Sequence, residues 1–324
     1  MFTIPEETTA RCSFAELPQK ISFQESDVVI YGVPLDLTTS FGKGTYRGPE
    51  AIRMTSARQI ETFIFEKNKD IQSCVKIYDL GDLKVPFFTS TSKNENRTSQ
   101  QDSASTNAVF SFLDASIPSI NRTLYDNSKI PVIIGGEHTV SYYAIKAFSK
   151  QKPVVIHLDA HRDMKHQYDG RKVCHTTPFF HLMSEGHVQG SDLIQIGIRQ
   201  SDEQENKTAK EYGVITFDAW DVHSHFEKVL NSVAEITANR KMYISFDIDV
   251  YDIPYVPYTG TPEPFGLNPF QVLDVIRNIH SSADLIGMDM VEVSVKNDDY
   301  REGTLATQTI YRILCRKFGK AKQS

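Results

Sequence analysis

The sequence predicts an α/β protein of about eight strand–helix units, and three observations carry that reading. Short apolar runs recur along the chain, as strands buried on both faces require. Segments with helical spacing separate them. Three of the runs end abruptly in residues able to ligate a metal, and the carboxyl ends of strands are where α/β folds build their sites.

A polar lead covers about residues 1–26, and the run at 27–32 then reads as a first strand. The Gly-rich loop that follows ends at Gly48-Pro49, and proline in a first turn suits a helix over 50–65. A second strand is expected at 75–80, with Asp79 and Asp82 as loop-capping carboxylates. Residues 89–106, dense in Ser, Thr, Asn and Gln, read as an exposed loop. Beyond them Val109, Phe112, Leu113, Ile117 and Ile120 lie near helical spacing and predict a helix. From Pro131 the pattern tightens, with strands at 132–135, 154–158, 193–198, 214–217, 242–247 and 285–291 alternating with helical segments. The clearest helix starts at Asn268-Pro269, a capping residue followed by proline at the first helical position. No internal repeat is visible, so one domain is expected across 1–324. Its units allow a closed βα barrel or an open parallel sheet with helices on both faces, and periodicity does not choose.

Composition narrows the function. At 324 residues, 40% hydrophobic and 23% charged, the chain has the make-up of a globular protein with a large core. A net charge of -6 and a pI near 5.9 argue against a nucleic-acid partner and leave small cations open. The four cysteines form no C-x-x-C pairs, which suits a reducing cytoplasm. Neither a membrane-length apolar run nor a secretory leader is read, so no membrane partner is expected.

The ligand-type strand ends carry the chemistry. They are Gly135-Gly-Glu-His138, Asp159-Ala-His161-Arg-Asp163 and Asp247-Ile-Asp249. Spacing of two places alternate residues on one side of an extended chain. Two His and four Asp are too many for one tetrahedral zinc and suit two divalent ions about 3.5–4 Å apart. Four carboxylates balance two divalent charges, and oxygen-rich ligation points to Mn²⁺ first. Water between two such ions is acidified and becomes a nucleophile, which is a hydrolase design.

These segments, together with Gly-Val-Pro-Leu-Asp36, Gly44-Thr-Tyr-Arg-Gly-Pro-Glu-Ala-Ile-Arg53, Gly197-Ile-Arg199, Thr259-Gly-Thr-Pro-Glu263 and Met290-Val-Glu-Val293, resemble the ureohydrolase family of arginases and agmatinases, its agmatinase branch most closely. The resemblance implies the open three-layer fold with a mostly parallel eight-stranded sheet. It implies two Mn²⁺ ions bridged by Asp159 and Asp247, with His138 and Asp163 completing one ion and His161 and Asp249 the other. Glu292 would pair with the substrate guanidinium, Asp163 would accept a proton from the attacking bridging hydroxide, and His175 would shuttle protons near the leaving amine. Agmatine, cleaved to urea and putrescine, is the implied substrate, and a homo-oligomer, trimer or hexamer, the implied assembly.

Against the family pattern, Arg162 stands where threonine is usual. Tyr251 and Ile253 replace leucine and proline, and Tyr258 and Phe265 replace glycines of the pocket loop. These side chains are expected to narrow the pocket, and the Arg162 cation to disfavour an ammonium tail. Guanidinobutyrate and arginine therefore stay as alternative substrates, beside a family-shaped subunit that binds or assembles without turnover. His157 is read as a packed or supporting histidine, and Arg199 as a partner for a site carboxylate or a scaffold ion pair.

Overall fold

The computed structural model describes residues 12–16, 21–86 and 99–318 of the chain, with side chains from 106 onward in the last range. Eight strands form one sheet: β1 (Val28–Val33), β4 (Ile77–Asp82), β5 (Ile130–Gly135), β6 (Val154–Leu158), β7 (Leu193–Ile198), β8 (Ile215–Asp218), β9 (Lys241–Asp247) and β10 (Asp284–Val291). Two short antiparallel strands, β2 (Phe63–Ile64) and β3 (Lys69–Asp70), pair apart from it. The sheet order is β4-β1-β5-β10-β9-β6-β7-β8, and every neighbouring pair is parallel. Two edges, β4 and β8, stay unjoined, so the sheet is open and the barrel alternative falls away.

Alternation along the strands explains the layers. Val28 and Ile30 point into one apolar cluster with α1 (Gly48–Arg58), α2 (Ile71–Cys74), α7 (Ala219–Ser224), α8 (Phe226–Thr237), α9 (Pro269–Asn278) and α10 (Arg301–Phe318). Val29, Tyr31 and Val33 point into the other, with α3 (Ser99–Asp126), α4 (Thr139–Lys146), α5 (Pro178–Ser184) and α6 (Glu203–Tyr212). Covered on both faces, strands β1, β5, β6 and β7 are buried at every position, which is why they read as unbroken apolar runs. The predicted cap holds at α9, where Asn268 accepts from the backbone of Phe270 and Gln271 ahead of Pro269.

Several expectations need correction. The first helix closes at Arg58 instead of running on to 65. Of the polar stretch read as a loop, 89–98 lies outside the described residues, while from Ser99 onward it is helix α3. That segment holds no Gly or Pro, and extending an existing helix adds one hydrogen bond per residue fixed, so weak propensity is overridden. Part of the polar lead also lies outside the described residues, but Phe14 within it is fully buried, edge-on to Tyr311. Asp79 and Asp82 are not loop caps. They lie in β4 and face Arg53 of α1, whose guanidinium holds Asp79 in a two-point fork at 2.9 Å and also reaches Asp82.

Candidate metal centre

Register delivers the residues. Leu158 of β6 pairs with Phe246 of β9, so Asp159 and Asp247 leave adjacent strands side by side. Val291 of β10 pairs with Asp247, and β10 lies against β5, which ends just before His138. All eight expected residues except His175 therefore leave the four central strands β5, β10, β9 and β6, and His175 approaches from the loop before α5. Two of them, Asp163 (φ 51°) and Glu292 (φ 60°), hold left-handed backbone, which side chains other than glycine adopt at a cost.

The six expected ligands converge. His138 Nδ1 lies 3.1 Å from Asp159 Oδ2, 3.0 Å from Asp163 Oδ2 and 3.1 Å from Asp247 Oδ2. Behind it Nε2 lies 3.1 Å from Ser245 Oγ, which donates to Asp289 Oδ1 at 2.9 Å. With the Ser245 proton spent on a carboxylate, its oxygen accepts from Nε2–H, and Nδ1 presents a lone pair to the three carboxylates. That nitrogen is buried and has no hydrogen-bond partner. A lone pair facing three carboxylate oxygens is repulsive unless a cation sits among them. The donor set therefore fits a divalent ion. On the other side His161 Nδ1 lies 3.0 Å from Asp249 Oδ2 and 3.5 Å from Asp159 Oδ1, a second group able to hold an ion.

Electrostatics agree. Burial and neighbouring Asp159 push the Asp163 carboxyl up to about 7. Burial, Asp249 and Asp159 push Asp247 well above the usual carboxylate range. Crowded buried carboxylates resist sharing one negative pocket, and positive charge relieves them.

A cavity of about 250 Å³ opens onto this cluster, lined by His161, Asp163, His175, Asp247, Asp249 and Glu292 among others. Glu292 Oε1 accepts from the His138 backbone at 2.7 Å, while its buried Oε2 has no partner. A Cβ at Gly260 would stand 2.8 Å from that oxygen, so glycine leaves the space open. Burial and Glu137 push the Glu292 carboxyl well above its ordinary range.

Glu137 was missed as an organising residue, although it stands next to His138 in the quoted motif. Fully buried, it accepts from the backbones of Leu37 and Thr38 and from the hydroxyls of Thr38 and Thr139, all within 2.6–2.7 Å. Thr38 Oγ1, its proton given to Glu137, lies 3.1 Å from His175 Nδ1 and so accepts from it. His175 Nε2 is left as the basic nitrogen, 3.3 Å from Ser40 Oγ. Burial above all lowers the His175 imidazole to about 4.

The expected obstructions do not materialise. Arg162 turns away from the cavity toward Gln195, Thr216 and Asn206. Tyr251 is buried against Phe246 and bonds Thr309, and the Tyr258 ring lies beneath Lys296 and Arg301. Phe265 is 67% exposed and faces Trp220. Among the described residues Arg199 has no carboxylate within ion-pair distance, although the charges of Asp249 and Asp159 act on it. Its guanidinium donates to the carbonyls of Asp249, Tyr251, Glu263 and Pro264 and clamps the loops that carry Asp249 and Glu263. Side-chain length hides such directions from sequence. His157 does behave as a supporting histidine, fully buried with Nε2 2.7 Å from Asp159 Oδ2.

Comparison with known proteins follows the same line. A model of the arginase family matches residues 26–315. The chain is 32% identical over 294 residues to an agmatinase of Bacillus cereus, covering 90% of this chain and 91% of the relative. It is 31% identical over 312 residues to the mitochondrial guanidino acid hydrolase of Homo sapiens, covering 94% and 82% respectively. Among solved structures, proclavaminate amidino hydrolase from Streptomyces clavuligerus superposes with a TM-score of 0.80 at 27% identity, covering 95% of this chain and 97% of that one. The chain belongs to the arginase family of binuclear metal hydrolases and acts on guanidino carbon–nitrogen bonds.

Proposed function

We propose that this hydrolase is an agmatinase-like enzyme that carries two Mn²⁺ ions and converts agmatine to urea and putrescine. One observation carries the metal reading: among the described residues the side chains within ion-pair distance of Asp159, Asp163, Asp247 and Asp249 are imidazoles, with no Lys or Arg, around a His138 Nδ1 that has no hydrogen-bond partner. His138 and Asp163 would hold one ion, His161 and Asp249 the other, with Asp159 and Asp247 shared. When bound, such ions supply Lewis acidity and lower the pKa of water toward neutrality.

The chain's own groups do the rest. Glu292 Oε2 receives the guanidinium, whose charge returns the raised carboxyl to its ionised form. Asp163 would accept the proton that the attacking water gives up. His175 Nε2, bare because Nδ1–H is spent on Thr38, would take a proton only transiently, and an imidazolium this acidic passes it readily to the departing amine. Burial of these groups keeps bulk water from screening the developing charge.

The tail of the substrate is read from the outer wall. Among the described lining residues Lys165 is matched by Asp202 and by Glu205 at 3.2 Å, while Glu263 adds a carboxylate whose Oε1 lies 3.9 Å from His161 Nε2 and 3.4 Å from Gln200 Nε2. That balance favours an ammonium tail, in keeping with agmatinase relatives. A guanidino acid is the second reading, favoured by Lys165 on the lining and by the human relative. Urea release with added Mn²⁺ from agmatine, guanidinobutyrate and arginine decides: agmatine is expected to lead in kcat/KM. Faster turnover of guanidinobutyrate would replace the substrate, and no urea from any of them would leave a binding or assembly subunit. A homo-oligomer is part of the proposal, and sedimentation at a single-chain mass would remove it.

A further inference from the structure

Arg162, one residue before Asp163, has no part in the reaction above, yet it is tied down on three elements. Its Nη1 donates to Gln195 Oε1 of β7 at 2.7 Å and to Thr216 Oγ1 of β8 at 3.0 Å, and its Nε donates to Asn206 Oδ1 of α6 at 2.8 Å. Gln195 is fully buried, and its amide orientation follows from that contact. With the oxygen turned to the guanidinium, the nitrogen donates to Arg162 O at 2.8 Å and lies 3.2 Å from His157 Nδ1.

An amide nitrogen only donates, so His157 Nδ1 accepts and the ring proton sits on Nε2. Nε2–H then donates to Asp159 Oδ2 at 2.7 Å, the oxygen that lies 3.1 Å from His138 Nδ1. We propose that Arg162 is a positioning residue: it fixes the Gln195 amide, the amide fixes the tautomer of His157, and the imidazole N–H holds Asp159 in its place between the two ligand groups. Without the Arg162 guanidinium, the amide oxygen loses its charged donor and only the Arg162 carbonyl, which accepts from the amide nitrogen, still favours this face. A flipped Gln195 would present oxygen to Nδ1, draw the ring proton there, and set a bare Nε2 lone pair against the Asp159 carboxylate.

The inference rests on the reading of Asp159 as a metal ligand, and two measurements keep the ideas separable. In the first, free Mn²⁺ is titrated against the full chain and followed by its electron spin resonance signal. Arg162→Met and Gln195→Leu are each expected to weaken Mn²⁺ about tenfold, the size typical of groups that orient a ligand. The double variant should be no worse than the weaker single, because both cut one chain of contacts. Arg162→Lys, whose ammonium can still donate to the amide oxygen, should stay within about threefold of wild type. Losses that multiply, an Arg162→Lys as weak as Arg162→Met, or no loss in either single variant would overturn the relay.

The second measurement needs no metal: imidazole ¹⁵N spectra of the metal-free protein. His157 is expected as the Nε2–H tautomer in wild type and Arg162→Lys, and as a mixture or the Nδ1–H form in Arg162→Met. Should wild type bind no Mn²⁺, the metal reading fails by itself and these spectra decide the relay, with Nδ1–H in wild type or unchanged spectra in Arg162→Met sinking it.

Discussion

Two buried clusters of carboxylates sit on the same sheet and are solved in opposite ways. At the β1/β4 edge, Asp79 and Asp82 meet Arg53, which is 1% exposed and binds Asp79 through both oxygens. At the central strand ends, Asp159, Asp163, Asp247 and Asp249 meet imidazoles and backbone N–H groups but, among the described residues, no Lys or Arg within ion-pair distance. The first cluster carries its own cation and is closed. The second is built short of positive charge, so its folded form is poised for a cation from outside. Burial of like charges without a partner is expensive, and a protein keeps such an arrangement where a ligand supplies the balance.

The contrast can be broken most directly at Asp247. Asp247→Asn should lower urea release by on the order of 10³-fold, while the metal-free protein keeps or gains thermal stability, because one of several repelling carboxylates is gone. A chelated variant that melts well below wild type would show that the cluster is structural after all. At the edge the signs reverse. Arg53→Met should cost about 3 kcal/mol in denaturant unfolding, since it strands the nearly buried Asp79 carboxylate and the partly buried Asp82, and should leave the KM for the guanidino substrate near wild type. A loss below about 1 kcal/mol would mean the edge cluster tolerates an unmatched charge as readily as the centre does.

Metal should then stabilise one region only. At 100 times its Kd, Mn²⁺ is expected to add about 2.7 kcal/mol to wild type and to Arg53→Met alike, and far less to Asp247→Asn. Equal gains in all three would place the binding elsewhere.

The smallest effect is that of pH on the metal-free protein. The His175 imidazole is held down to about 4 in the fold, against about 6.5 unfolded. Between those values the unfolded chain binds the extra proton, so stability is complete above about 6.5 and declines as pH falls toward 4, by on the order of 1–2 kcal/mol. His175→Asn should flatten that slope in melting curves taken across the interval. An unchanged slope would assign it to other groups.

How much of this the sequence disclosed depends on the range of the physics involved. All eight strands of the main sheet were legible, and those at 154–158 and 193–198 to the residue, because there burial on both faces writes an apolar run into the local sequence. Asp159, His161 and Asp163 were legible for the same reason: they interrupt such a run at its end. Strand order was not, since periodicity says nothing of which strand lies beside which. Asp79 looked like a turn residue because its partner, Arg53, lies 26 positions away on a helix. Arg162 and Arg199 were misread for a related reason. Each has a long side chain that can swing toward the cavity or away from it, and only packing decides. Ser245, two residues before Asp247, carried the one overlooked periodic signal, since it shares that strand face and supports His138.

The sheet order has a consequence for how the molecule comes into being. β9 and β10 follow the other strands of the sheet in the chain, yet they lie between β5 and β6, which are made much earlier. A nascent chain carrying everything up to α8 would have to keep a slot two strands wide at the middle of its sheet. Pairings between segments so distant in sequence form slowly. Asp247, Asp249 and Glu292 arrive with those closing strands, so the capacity to capture metal and substrate is acquired when they insert, and not gradually as the polypeptide grows.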